Sequence, residues 1–137
     1  MKICMLTSGH SVYDSRIYYK EVLSLRKKYD DIYIIAPGSF DFVTDDGIKV
    51  KCFAPRKNWL DRFRPMKDLY DLAAYVDADI YHAHEPDSLQ VAVNLKRKLG
   101  KKIIYDSHEY YPEAFSEHFS RGRKTVRGII AHYEKKL

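Results

Sequence analysis

Five short apolar runs, each followed by a turn and a helical repeat, constrain this chain more than any other feature of its sequence. The runs are Lys2–Thr7, Asp31–Ala36, Ile48–Ala54, Asp79–Ala83 and Lys102–Asp106. The first is almost continuous in apolar residues, as a central parallel strand should be. Between them the period lengthens to that of a helix. One helix is expected from about Asp14 or Ser15, with Tyr18, Val22, Leu25 and Tyr29 on one face. A second starts near Met66, with Leu69, Leu72, Ala73 and Val76. A third runs from Asp87 to Leu99 and is closed by Gly100. This alternation predicts an α/β fold, a doubly wound Rossmann-like parallel sheet with helices on both faces. Right-handed crossovers then give the strand order 3-2-1-4-5. The order changes direction between the first and fourth strands, where such sheets bind ligands, so a crevice is expected above Gly9 and His84.

The 137 residues suit a single domain, and 45% hydrophobic with 31% charged residues is the balance of a soluble globular protein. No apolar run approaches the ~20 residues of a spanning helix. Ile3–Leu6 is also too short for the apolar region of a signal peptide. The two cysteines, Cys4 and Cys52, sit inside apolar runs and read as reduced and cytosolic, with a disulfide left open. A cytoplasmic location is expected. The net charge of +5 belongs wholly to residues 118–137, where Arg121, Arg123, Lys124, Arg127, Lys135 and Lys136 face a single Glu134. With the charge confined there and no recognition motif beside it, nucleic acid is not an expected partner.

The chemistry-bearing residues gather at strand ends. After the first strand comes Ser8-Gly9-His10-Ser11-Val12-Tyr13-Asp14-Ser15-Arg16. Glycine there lets a ligand approach the backbone, and the following helix start favours anions. Arg16 adds a charge-assisted contact to phosphate or carboxylate. Equally, Gly9 makes only the turn and Asp14 or Ser15 only caps the helix. The lone Gly9 is no dinucleotide signature. After the fourth strand come His84, Glu85, Asp87 and Ser88. His82 and His84 share a strand face. His82 reads as an interior histidine, and His84 as a proton carrier or a partner for a sugar hydroxyl. After the fifth strand come Asp106, Ser107, His108 and Glu109, with Tyr110 and Tyr111 as a stacking wall or plain core. His82, His84, His108 and Glu109 are ligand types for a metal, but no motif fixes a third ligand, so none is expected. Neither a nucleophile elbow nor a phosphate-binding loop is present.

Four runs resemble a known family: Lys2–His10, Tyr13–Glu21, Asp79–Pro86 and Ile103–Glu113. In order and spacing they are similar to the amino-terminal half of a family-4 glycosyltransferase of GT-B fold. The resemblance implies sugar transfer from a nucleotide-sugar donor to an acceptor (polysaccharide, lipid-linked or small), with retention and without a metal or other cofactor. It implies that Gly9 lies near the donor phosphates, His84 near the transferred sugar, and His108 and Glu109 on the acceptor side. The carboxyl-terminal donor-binding half of that family has no counterpart in these residues. The chain is therefore expected to be a single acceptor-side domain, 1–137, incomplete at its end and inactive alone. Its basic helix, 123–137, either covers the sheet or makes a peripheral contact with anionic membrane. The reading from another class is a stand-alone, non-catalytic module that binds a phosphorylated or sugar ligand.

Overall fold

In a computed structural model the described residues are 1–58, 60–107 and 132. Trp59, His108, Glu109, Tyr110, Tyr111, the short helix expected from Pro112 and, apart from His132, the basic helix expected over 123–137 lie outside them. By its packing the chain divides into two units, Met1–Asp106 and Ser107–Leu137, and the sheet with its helices belongs to the first.

The strands are β1 (Lys2–Leu6), β2 (Asp31–Pro37), β3 (Phe42–Val43), β4 (Lys49–Phe53), β5 (Ile80–Ala83) and β6 (Lys102–Tyr105). They form one sheet in the order β3-β4-β2-β1-β5-β6. All neighbours are parallel except β3 and β4. The five long runs thus take the order expected of them. The additional strand, β3, turns back onto β4 through Thr44-Asp45-Asp46-Gly47, where Gly47 N–H donates to the Thr44 carbonyl (2.8 Å) and Gly47 adopts φ 79°. Two residues carry no readable period, and so β3 escapes a reading by pattern.

The helices are α1 (Leu23–Arg26), α2 (Phe63–Val76) and α3 (Pro86–Leu99). Two depart from expectation. The first helical segment begins at Ile17 as a wide π turn, Ile17–Val22, before narrowing into α1. Its mark is the bond from Glu21 N–H back to the Arg16 carbonyl, five residues away (3.1 Å). α2 begins at Phe63, three residues before the expected Met66. Pro65 falls in its first turn, where no backbone N–H is needed.

The sheet is covered on both faces because its strands are apolar on both. Ile3 and Met5 of β1, with Ile32 and Ile34 of β2, pack under Ile17, Tyr18 and Val22. The intervening Cys4, Leu6 and Ile35 are fully buried on the opposite face, where α2 and α3 bring Leu69, Ala73 and Leu95. Burial holds the Cys4 thiol far above its ordinary pKa. Cys4 and Cys52 are both free thiols, on strands separated by β2. Among the described residues, no helix is long and apolar enough to cross a membrane.

Candidate functional site

β1 and β5 are hydrogen-bonded neighbours, Leu6 beside Ala83, and the sheet grows away from them in opposite directions. Their carboxyl ends open the crevice between Thr7–His10 and His84–Glu85. Glu85, 7% exposed, takes the position just before α3 with an extended backbone. Its carboxylate accepts hydrogen bonds from the Thr7 hydroxyl, from Ser8 N–H (3.1 Å) and from Ser88 Oγ (2.8 Å). Ser88 Oγ in turn accepts from the N–H groups of Glu85 (2.9 Å) and His84 (3.1 Å). This is a capping box with acid and hydroxyl exchanged. Expected as a substrate contact, Ser88 is instead fully buried and holds the strand end to the helix.

His10 stands at the mouth. Its N–H donates to Thr7 Oγ1 (2.9 Å), and its ring lies between two carboxylates, Nδ1 3.3 Å from Asp14 and Nε2 3.5 Å from Glu85. One-third of its side chain is exposed (33%), which leaves a face for a ligand. Asp14 accepts from the N–H groups of Arg16 (2.9 Å) and Ile17 (3.0 Å), so it is the cap of the π turn and a neighbour of His10 at once. Gly9 is exposed, has no left-handed φ, and a Cβ built on it meets nothing within 4 Å. Neither turn geometry nor packing demands glycine here, and the room beside it is open.

A second group lies on the face covered by the first helical segment. Side chains alternate along a strand, so His82 and His84 on and just after β5, and Ile104 and Asp106 on and just after β6, share that face. Glu21 descends onto them from the π turn, with Oε2 3.7 Å from His82 Nδ1 and 3.8 Å from His84 Nε2. The two imidazole rings are 4.5 Å apart. Arg16 Nη2 donates to both oxygens of Asp106 (3.2 and 2.9 Å), and Arg16 Nε reaches Glu21 Oε1 at 3.5 Å. Burial and the adjacent Asp106 carboxyl raise the Glu21 carboxyl to about 7, against the opposing pull of Arg16. Hydrogen bonding to Asp106 raises Arg16 in its turn.

The residues singled out in the sequence thus fall into separate places. Gly9, His10, Asp14 and Glu85 come together at the mouth, with Ser88 behind. His84 is fully buried and belongs with Arg16 to the second group. Asp87 is held by Arg56 Nη2 (2.9 Å) and Arg62 Nε (3.0 Å) from the loop after β4. Two residues that pattern did not single out, Thr7 and Glu21, turn out to organise these groups. Glu21 did leave a signal: it sits among Ile17, Tyr18, Val22 and Leu25, an acid inside an apolar stripe.

The family model described as glycosyl transferase 4-like matches residues 2–127. Among curated proteins, none matches the chain. The family match spans nearly the whole sequence and agrees with the six-stranded α/β sheet and its crevice between β1 and β5. The chain belongs to the glycosyl transferase 4-like family.

Proposed function

We propose that this domain forms the acceptor-side wall of a cleft in which a sugar passes from a nucleotide-sugar donor to an acceptor, with retention and without a metal at the reacting atoms. The observation that carries the reading is the open space beside Gly9, at the point where the strand order reverses, next to the partly exposed His10. Gly9 and the N–H groups around it meet donor phosphate. His10, steadied by Asp14 and Glu85, meets a sugar hydroxyl and carries its proton. The buried His84 acts from beneath, as part of the floor, and the sugar-facing role passes from it to His10. The acceptor is a polysaccharide, a lipid-linked sugar or a small molecule.

Transfer requires donor and acceptor to be held from both sides. The described crevice is one side, and the 137 residues alone are proposed not to turn over. The setting is the cytoplasmic side of a membrane, with the basic residues of 123–137 offered to anionic lipid. Vesicle co-sedimentation indifferent to anionic lipid would end the membrane part of the reading.

Amide NMR of the labelled chain tests the site. Addition of UDP- or GDP-sugars should shift Ser8, Gly9 and His10, and His10→Ala should weaken that response. Shifts confined to other regions, or none with any donor or acceptor sugar, would overturn the assignment. Sustained, specific sugar transfer by the isolated chain would refute the proposed inactivity.

A further inference from the structure

The second group has the composition and geometry of an ion site. Glu21, His82, His84 and Asp106 each present one ligand atom, and these atoms all lie within 4.8 Å of one another. Glu21 Oε2 stands 3.7 and 3.8 Å from the two imidazole nitrogens. Such distances are too long for hydrogen bonds. Around tetrahedral zinc, with bonds near 2.0–2.1 Å, neighbouring ligand atoms stand roughly 3.4 Å apart. The two Glu21–imidazole separations exceed that by only a few tenths of an ångström, so a small contraction would let Glu21 share an ion with either ring.

We propose that Glu21, His82, His84 and Asp106 bind a divalent transition-metal ion, zinc by preference, as a fastener beneath the crevice. The donor set, two imidazoles and two carboxylates, suits zinc, whereas magnesium and calcium favour oxygen ligands alone. Arg16 serves as the outer support. It holds both oxygens of Asp106 and Oε1 of Glu21, while Glu21 Oε2 faces the imidazoles. Carboxylate oxygens accept more than one partner, so the contact with Arg16 does not by itself bar Asp106 from an ion.

The ligands come from three places in the chain: the π turn, β5 and the residue after β6. The site therefore exists only in the folded protein, and the ion ties the first helical segment to the ends of two strands. The role is structural. It does not depend on the sugar-transfer reading, because His84 faces Glu21 rather than the crevice mouth.

Cobalt(II) and zinc(II) titrations of the chelator-stripped, full 137-residue chain test the proposal. One equivalent of cobalt should give the intense visible absorption of a tetrahedral site, and one equivalent of zinc should raise the melting temperature. Both responses should be lost in His82→Asn and in Glu21→Gln, each checked for parent-like melting in chelator. They should persist in His132→Asn, a change at an exposed histidine. X-ray absorption of the zinc-loaded parent needs no variant and should show two imidazoles and two oxygens. An unchanged cobalt spectrum with no thermal shift, binding that survives both ligand variants, or a zinc shell without paired imidazoles would overturn it.

Discussion

The Thr7 hydroxyl, at the end of β1, donates to the Glu85 carboxylate at the start of α3, and so closes the floor of the crevice from both of its sides. Both side chains are buried, and Thr7 Oγ1 also accepts the N–H of His10 (2.9 Å). One hydroxyl therefore sets the separation of the two strand ends and the placement of the histidine at the mouth.

Thr7→Val keeps the shape and removes the hydroxyl, leaving the Glu85 carboxylate and His10 N–H each short of a partner. Buried groups left in that state cost about 1–3 kcal/mol. Urea unfolding should show a loss of that size, and Thr7→Ser should restore most of it. A Thr7→Val chain as stable as the parent would mean that the contact holds nothing.

Two glycines should respond in opposite ways. A Cβ on Gly9 meets nothing within 4 Å, whereas one on Gly38 lies 2.5 Å from Cys52 Sγ. Gly9→Ala is expected to change stability by no more than about 0.5 kcal/mol. Gly38→Ala should cost about 1–3 kcal/mol, the usual range for overpacking. Thermal melts of the two variants, compared with the parent, check the contrast.

The Glu21 carboxyl binds a proton more tightly in the folded chain than in the unfolded one, at about 7 against 4.5. Its contribution thus favours the folded state fully below pH 4.5 and is lost as pH rises through about 7. Arg16 and Asp106 face it from the turn before and from the end of β6, and His82 and His84 from β5. In chelator, stability relative to Glu21→Gln should fall between those pH values. Parallel profiles for parent and variant over that window would contradict the raised affinity for the proton.

Much of this protein is determined locally. Apolar runs of strand length and helical stripes specify the sheet, its five long strands and the crevice where their order reverses, because period and burial are properties of neighbouring residues. That Gly9, His10, Asp14 and Glu85 gather at neighbouring strand ends was legible for the same reason: strand ends can be read along the chain. Family membership, too, rests on runs of sequence that need no coordinates to recognise.

What pattern could not supply were relations between distant residues. Thr7 and Glu85 are 78 positions apart, and Arg16 and Asp106 are 90 apart. That Ser88 is buried and caps its own helix could not be read along the chain either. Glu21 joins His82 and His84 because a π turn that no local preference announced brings it over them. His84 and His10 have the same side chain, and the packing of the first helical segment over the end of β5 buried one while the mouth of the crevice left the other partly exposed. Burial, charge pairing and side-chain direction depend on the whole packed chain, so tertiary structure alone decided which of these residues reach the mouth of the crevice and which face one another.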